Sequence, residues 1–370
     1  MKKEYFIFGL GHHIKIFYLL CRHESEFIQE IVEEMIKKLN SKFFNRNLIG
    51  IESIVAELIP SYLDFGNNVC MIGICGMGGI GKTTLARVVY NMHSNKFEAS
   101  SFIADVREKS KKDGLLQLQK QFLEDILGVT NTNISDVHQG VDIIKNRLRR
   151  KKVLLVLDDV NHVDQLEKLA GEHHWFGLGS WIIITTRDEH VLIQHGVLKR
   201  YNPNGLNDDD ALKLFCLKAL KNEQPKKGYM QLSQEVVEYA NGLPLALVTL
   251  SSFLVGRTRD EWQSALDYFK KNPPKEIVDI LKISFDGLED MLKELFLDIA
   301  CFFMGCRKSG VTHILENCGF DARIGIRVLV DKSLLTLTRY RFCDDEILGM
   351  HDLLKEMGEK IVRQLSCGKL

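Results

Sequence analysis

The stretch Val69-Cys-Met-Ile-Gly-Ile-Cys75, followed by Gly76-Met-Gly-Gly-Ile-Gly81-Lys82-Thr83-Thr84, decides the fold of this chain. Its first seven residues form an uncharged, mostly apolar run, which is typical of a parallel strand buried on both faces. The next eight, from Gly76 to Thr83, fit G-x-x-x-x-G-K-[ST], and a helical pattern follows from Thr83 to Met92. The motif therefore stands in the strand–loop–helix context of a phosphate-binding P-loop.

The residue types of this loop explain how it would bind a nucleotide. Glycines let backbone N–H groups turn toward phosphate oxygens, and the following helix directs its N-terminal dipole at the same anion. We predict that Lys82 reaches the β- and γ-phosphates and contributes to catalysis, that Thr83 binds Mg²⁺, and that Thr84 bonds the α-phosphate. The predicted nucleotide-binding residues of the loop are Gly76, Met77, Gly78, Gly79, Ile80, Gly81, Lys82, Thr83 and Thr84.

A second apolar run, Lys152-Val-Leu-Leu-Val-Leu157, ends in Asp158 and Asp159. In P-loop nucleotide hydrolases such a strand carries a carboxylate that holds Mg²⁺, and we predict that it lies beside the P-loop strand. Asp158 is the predicted metal ligand, together with Thr83. Asp159 is the predicted catalytic group that orients or deprotonates a water attacking the γ-phosphate. The alternative is that both acids only cap the next helix.

A third strand-like run, Trp181-Ile-Ile-Ile-Thr-Thr186, ends in Arg187. The planar fork of an arginine binds phosphate oxygens well, so at the edge of a neighbouring strand Arg187 could sense the γ-phosphate. A surface ion pair is the alternative for this residue.

The order of these patterns predicts three domains, of which the first is a three-layer α/β domain. Strand-like runs at 101–106, 153–157 and 181–185 alternate with helical patterns, which indicates an α/β domain with a mostly parallel sheet. After Asn204 the pattern is helical, and a hairpin-like pair at 334–338 and 346–349 before a last helix favours a winged-helix domain. The predicted organisation is a locally packed or disordered leader (1–23), a linker helix (24–47), a P-loop nucleotide-binding domain (48–204), a helical domain (205–272) and a winged-helix domain (273–370).

Composition narrows the function classes. Lys+Arg and Asp+Glu both total 49 in 370 residues, so the formal net charge is zero and a nucleic-acid partner is not expected. Cysteines without CxxC pairs, several of them in apolar runs (Cys70, Cys75, Cys216, Cys301), are typical of reduced thiols in a cytosolic protein. The apolar start of the chain is interrupted too often for a bilayer span. We therefore expect a cytoplasmic protein, or one shared between nucleus and cytoplasm.

The motifs in this order resemble the NB-ARC nucleotide-binding module of plant intracellular immune receptors, in the class with an N-terminal Toll/interleukin-receptor (TIR) domain. The resemblance covers about Glu24 to Gln364. The motifs that carry it are GMGGIGKTT (76–84), FEASSFIADVRE (97–108), KVLLVLDDV (152–160), GSWIIITTRD (179–188), LNDDDALKLF (206–215), NGLPLAL (241–247), FLDIACFF (296–303) and MHD (350–352).

This resemblance implies an ADP-bound off-state and an ATP-bound on-state, at most slow Mg²⁺-dependent ATP hydrolysis, and association with other receptor chains or with itself on activation. It also assigns residues: Pro244 packs near adenine and ribose, His351 touches the β-phosphate of ADP, and Ile49 lies in a segment whose backbone contacts adenine. Without it, Pro244 and His351 are interpreted as helix-start residues.

Other functions remain open at this stage. No TIR domain is recognisable before Glu24 and no leucine-rich repeats after Leu370, so NAD cleavage and ligand sensing are not expected of this chain. The alternatives to a signalling switch are a receptor fragment that binds ADP without output, and a dedicated ATPase. DNA binding by the winged helix is disfavoured by the zero net charge.

Overall fold

The structure is a computed structural model that describes residues 48–63, 68–128, 134–225, 227–339 and 345–367. The predicted leader and linker helix lie outside the described residues. The elements of the first region are α1 Ile51–Tyr62, β1 Cys70–Cys75, α2 Lys82–His93, β2 Ala99–Ile103, α3 Val106–Lys112, α4 Gly114–Leu127, α5 Val137–Leu148, β3 Val153–Val160, α6 Val163–Ala170, β4 Trp181–Thr186, α7 Glu189–Gln194 and β5 Lys199–Tyr201.

The five strands form one parallel sheet in the order β2-β3-β4-β1-β5. All residues of β1 and β4 are buried, as expected where helices cover both faces of a parallel sheet. The prediction of an α/β domain with a mostly parallel sheet is confirmed.

The predicted neighbourhood of β3 is wrong. β3 pairs with β2 and β4 but not with the P-loop strand, because β4 lies between β1 and β3. The two strands that carry the P-loop and the paired acids are therefore about 10 Å apart, which is twice the usual strand spacing. Order along the chain does not determine order across a parallel sheet, since each crossover helix can skip a strand.

Two strand predictions also differ from the structure. The strand predicted at 101–106 is β2 (Ala99–Ile103), and Val106 begins a helix instead. The strand β5 was not predicted, because it has only three residues and two of them, Lys199 and Arg200, are charged. Such a short polar segment carries no periodic signal.

The remainder of the described chain is helical apart from one hairpin. Its elements are α8 Asp208–Ala219, α9 Met230–Ala240, α10 Pro244–Leu254, α11 Arg259–Phe269, α12 Lys275–Asp286, α13 Asp290–Asp298, a π-helical turn Ile299–Phe303, α14 Lys308–Asn317, α15 Ala322–Asp331, β6 Thr336–Arg339, β7 Glu346–Gly349 and α16 Asp352–Cys367. β6 and β7 pair antiparallel. None of the helices in the described ranges has the length and apolar content that a bilayer crossing requires.

The sheet and the C-terminal helices have separate hydrophobic cores. One cluster of buried apolar side chains packs around the sheet, and a second runs without interruption from Ala211 to Met357. Cys75 and Cys216 are buried with free thiols, and burial raises the pKa of both to about 11. These thiols are therefore protonated and inert at neutral pH, as the sequence pattern predicted for reduced cysteines.

Gly73 provides a test of packing in the central strand. A methyl group at this position would lie 2.3 Å from Cδ1 of the buried Leu192, so we expect Gly73→Ala to lower the free energy of unfolding by about 1–3 kcal/mol through overpacking. Gly310 is the control: it lies in α14 with no atom near a methyl group, and Gly310→Ala should raise stability by about 0.5–1 kcal/mol. Urea unfolding followed by circular dichroism measures both, and equal midpoints would contradict this account of β1.

Candidate functional site

The P-loop connects β1 to α2 and has the backbone geometry of an anion site. Gly79 and Gly81 have φ angles of 83° and 99°, in the left-handed region that glycine adopts without strain. The helix begins at Lys82 directly after Gly81, so the unpaired N–H groups of its first turn point toward the loop. Turned backbone amides and a helix N-terminus together favour a phosphate group.

Lys82 is held within this loop. Its Nζ donates hydrogen bonds to the carbonyl oxygens of Gly76 at 2.7 Å and Met77 at 2.9 Å, and the residue is only 7 % exposed. Burial, and secondarily the positive charge of Arg187, lower the pKa of Lys82 to about 8. The ammonium group therefore lacks a full counter-charge, and an anion beside it would favour its protonated form.

Thr83 and Asp158 bring oxygen atoms together next to the loop. The Thr83 hydroxyl donates to Asp158 Oδ1 at 2.8 Å, and the Thr185 hydroxyl donates to the same oxygen at 2.7 Å. Asp158 is 2 % exposed. A hydroxyl and a carboxylate are the hard oxygen ligands that Mg²⁺ takes when phosphates and waters complete its octahedron, so this pair fits the predicted metal.

Asp159 has both carboxylate oxygens beside arginines. Its Oδ2 lies 2.8 Å from Arg107 Nη2, and its Oδ1 lies 3.5 Å from Arg187 Nε. The backbone is in the left-handed region at φ 58°, and its N–H donates to the Thr185 hydroxyl at 2.8 Å. This bond holds the backbone of Asp159 in place, so its carboxylate can change position only by a change of side-chain rotamer.

Arg107 is the site residue that sequence reasoning missed. It follows β2 by four residues and lies in α3, at the same edge of the sheet as Asp159 and Arg187. A signal was available, since the carboxyl ends of parallel strands lie at one edge and a charged residue shortly after such a strand is a candidate.

Arg187 contacts both the loop and the helical region. Its Nη1 donates to the carbonyl oxygen of Ile280 in α12 at 2.8 Å, and a methyl group on Gly78 would lie only 2.8 Å from the same nitrogen. Burial is the main cause that lowers the pKa of Arg187, while Asp159 opposes the shift. Arg187 does form an ion pair, with Asp159, but its side chain is only 18 % exposed, so the pair does not lie on the open surface as the alternative supposed.

The segment around Pro244 touches the P-loop through the next residue. Pro244 is the first residue of α10, and the N–H of Leu245 donates to the carbonyl oxygen of Gly79 at 3.2 Å. Any side chain at Gly79 would collide with that of Leu245 at 2.7 Å. Ile49 packs, together with Met77 and Ile80 of the loop, against the hydrophobic core of the helical region.

His351 lies one step farther from the loop. Its Nδ1 accepts a hydrogen bond from Leu353 N at 3.2 Å, which leaves the proton on Nε2 to be donated to the carbonyl oxygen of Asn241 at 3.0 Å. Asn241 Nδ2 also donates to Asp352 at 2.9 Å. Burial is the main cause that lowers the pKa of His351, although its bond to Asn241 opposes the shift.

The structure thus gathers Lys82, Thr83, Asp158, Asp159 and Arg187 at one edge of the sheet. It places Pro244 next to them through the contact of Leu245 with Gly79, and it places His351 against Asn241, four residues before Leu245.

A second set of contacts joins this edge of the sheet to the winged-helix region. Lys332 Nζ lies 2.7 Å from Asp188, the residue after Arg187, and Cys75 Sγ lies 3.7 Å from the Ser333 hydroxyl. The ends of β1 and β4 are therefore both in contact with the turn that follows α15.

Two family models match the chain. Residues 51–225 match the model described as NB-ARC domain, and residues 289–366 match the model described as Disease resistance protein Roq1-like, winged-helix domain.

Two of the similar proteins are disease or virus resistance proteins of plants. Disease resistance protein RUN1 of Vitis rotundifolia is 44% identical over 345 residues, which cover 92% of this chain and 26% of that protein. TMV resistance protein N of Nicotiana glutinosa is 40% identical, over 92% of this chain and 30% of that protein. The chain thus spans less than a third of the length of these relatives. Among solved structures, Cdc6p of Pyrobaculum aerophilum matches with a TM-score of 0.41 at 13% identity, covering 85% of this chain and 93% of that one.

Proposed function

Because the chain carries an NB-ARC domain followed by a Roq1-like winged-helix domain, as its motifs predicted, we propose that it is an ADP/ATP-binding switch of plant defence signalling. One observation carries the proposal: the P-loop is bonded through Gly79 to Leu245 of the helical region, while His351 of the last region is bonded to Asn241, four residues earlier. A nucleotide held by the P-loop would then affect how three regions pack.

In this proposal ADP favours the packed state and ATP favours an opened one. Lys82 binds the phosphates, Thr83 and Asp158 hold Mg²⁺, and Arg187 discriminates ATP from ADP through the third phosphate. Shifting such an equilibrium from 1:99 to 99:1 needs about 5.5 kcal/mol of differential binding. Charge-assisted hydrogen bonds of about 1.5–3 kcal/mol each are sufficient if about two to four of them differ between the states.

The same site supports slow hydrolysis better than rapid turnover. ATP supplies the phosphoanhydride bond and Mg²⁺ the charge that stabilises its cleavage, while Asp159 is the group that would orient the water. Both oxygens of Asp159 lie beside arginines in the structure, so a water molecule must share the carboxylate with two cations and has about two of its four lone-pair sites available. This observation favours a switch that resets slowly over a dedicated ATPase.

The proposal is tested by the nucleotide that copurifies with the chain, released by denaturation and quantified against protein. We expect ADP in nearly one-to-one ratio. Absence of any adenine nucleotide, together with no rise in melting temperature on adding ADP, would mean that the motifs do not assemble a working site, and the proposal would fail. Rapid multiple turnover of ATP would instead favour the dedicated ATPase.

The pKa of Lys82 gives a dependence on pH. With a pKa near 8 the amine is charged at pH 7 and mostly neutral at pH 9, and a bound polyphosphate raises the pKa again. Nucleotide binding should therefore take up close to one proton at pH 9 and little at pH 7, and the affinity should fall about tenfold per pH unit above 8. Calorimetric titrations in buffers of different ionisation enthalpy measure the uptake, and equal proton uptake at both pH values would contradict the assignment.

Asp352 tests the contact of the last region. Asp352→Val removes the acceptor for Asn241 Nδ2, so we expect ADP to dissociate a few-fold faster, in line with the loss of about 1 kcal/mol from one exposed hydrogen bond. Stopped-flow release of a fluorescent ADP analogue measures the rate. Asp352→Asn keeps an acceptor oxygen and should release ADP at close to the unaltered rate. If the valine variant does the same, this contact does not hold the packed state.

A further inference from the structure

Four residues, three of them in α3, β3 and α12 and the fourth in the loop after β4, form a continuous polar line across the edge of the sheet. Arg107 in α3 bonds one oxygen of Asp159, Arg187 Nε approaches the other, and Arg187 Nη1 donates to the carbonyl oxygen of Ile280 in α12. The line begins in the nucleotide-binding domain and ends in the helical region. Within this line, the bond from Arg187 to Ile280 is the one that attaches the nucleotide-binding domain to α12.

The charges in this line are largely removed from solvent. The side chains of Arg107, Asp159 and Arg187 are 11 %, 17 % and 18 % exposed. Two guanidinium groups therefore meet the one carboxylate of Asp159 in a place where water screens them poorly, and Arg107 Nε also lies 3.2 Å from the exposed carboxylate of Glu108. The oxygen of Asp159 that each arginine contacts determines the direction of its other N–H groups.

The position of Arg187 depends on which oxygen of Asp159 is bonded to Arg107. An arginine that has a carboxylate to itself prefers to bond both oxygens with two parallel N–H groups. Because Arg107 holds Oδ2 of Asp159 at 2.8 Å, Arg187 approaches only Oδ1, at 3.5 Å, and its guanidinium lies near enough to α12 for Nη1 to donate to Ile280. The backbone of Asp159 cannot move to serve both, since its N–H is bonded to the Thr185 hydroxyl.

We propose that Arg107 is a positioning residue that, by occupying one oxygen of Asp159, keeps Arg187 on α12 and free to leave it for the third phosphate of ATP. The inference rests on the proposed function for its nucleotide readout but not for its structural one. Without Arg107, Arg187 closes onto both oxygens of Asp159. Its Nε and Nη2, which face the same side of the guanidinium, then hold the two oxygens, and this movement draws Nη1 away from Ile280. Arg187 binds a third phosphate only at the cost of a strong ion pair. ADP, which makes no demand on Arg187, is unaffected.

The experiment compares Arg107→Met with Arg107→Lys, which keeps a charge beside Asp159, and with Arg150→Met, which removes an exposed charge from the same domain. The first readout is hydrogen–deuterium exchange of the amides of α12 without nucleotide. The second is the ratio of the dissociation constants for ATP and ADP. For Arg107→Met we expect about tenfold faster exchange in α12 and about a tenfold rise in the ATP/ADP ratio, as one charge-assisted hydrogen bond would give. In Arg107→Lys and in Arg150→Met, we expect the exchange rate of α12 and the ATP/ADP ratio to stay close to those of the unaltered chain.

A folded Arg107→Met with unchanged exchange in α12 and an unchanged ratio overturns the inference. So does an equal loss of affinity for both nucleotides, because that is the result of a purely structural role. If Arg107→Met does not fold, Arg107→Gln, which removes the charge but keeps a donor for Asp159, is measured by the same criteria. Failure of the unaltered chain to bind ADP would defeat the proposed function, whereas the exchange of α12 would still decide the role of Arg107.

Discussion

Replacing Lys82 by alanine is expected to weaken the binding of both ADP and ATP on the order of 100-fold, since the variant loses charge-assisted bonds to two phosphates. The ammonium already lies inside the P-loop, bonded to two of its carbonyl oxygens, so little rearrangement separates its position from a phosphate in the loop. Removing it also leaves those carbonyl oxygens without their donor. We therefore expect the loop itself to become less ordered.

Fluorescence titration with a labelled ADP and equilibrium dialysis with ATP measure this loss. Lys112→Ala is the matched control, because Lys112 is exposed at the end of α3 in the same domain. The two variants should melt within a few degrees of each other without nucleotide. If Lys82→Ala bound ADP as well as Lys112→Ala does, the P-loop would not be the nucleotide site.

Trp262→Ala is expected to lower the free energy of unfolding by about 3–5 kcal/mol, the usual cost of removing a large side chain from a core. Trp262 is 1 % exposed in α11, and its ring packs edge-on against Phe215 and Tyr229 at 5.4 and 4.9 Å between centroids. Its indole N–H donates to the carbonyl oxygen of Leu254 at 2.9 Å. The alanine variant loses this packing and leaves that buried oxygen with only its 3.2 Å bond from the Arg257 N–H.

Two variants separate these contributions, and urea unfolding measures them. Trp262→Phe retains most of the ring packing but not the hydrogen bond, so its cost should be about 1–3 kcal/mol. Tyr268→Ala removes an aromatic ring from the same helix where it is 59% exposed, and should cost less than about 1 kcal/mol. Equal costs for Trp262→Ala and Tyr268→Ala would contradict the burial seen in the structure.

The sequence predicted those parts of the site that follow from local pattern. The P-loop, the paired acids and Arg187 each stand at the end of an apolar run, and parallel strands bring such ends to one edge. The position of β4 between β1 and β3 could not be predicted in this way, because it depends on pairing between distant segments. β5 escaped prediction since a three-residue strand with two charges has no periodicity.

The residues around the predicted site were harder to foresee for a related reason. Arg107 and Asn241 lie in motifs that carry the family resemblance, but the sequence assigned neither of them a role, because their roles arise only from what the fold places beside them. Asn241 ends α9 in the left-handed conformation at φ 45°, which directs its carbonyl oxygen and side chain to His351 and Asp352. A pattern of residue types indicates that a turn occurs there, but not which distant side chain the turn will meet.

The second hydrophobic core has a consequence for how the chain loses its structure. Phe269 and Ile277 lie on opposite sides of the Pro273-Pro274 break, yet both belong to the apolar cluster that runs from Ala211 to Met357. Neither half could lose its fold without exposing the apolar surface of the other. The helical and winged-helix regions should therefore melt in a single cooperative transition. Cleavage of the chain near residue 272 should yield two fragments that expose apolar surface and aggregate, instead of two stable domains.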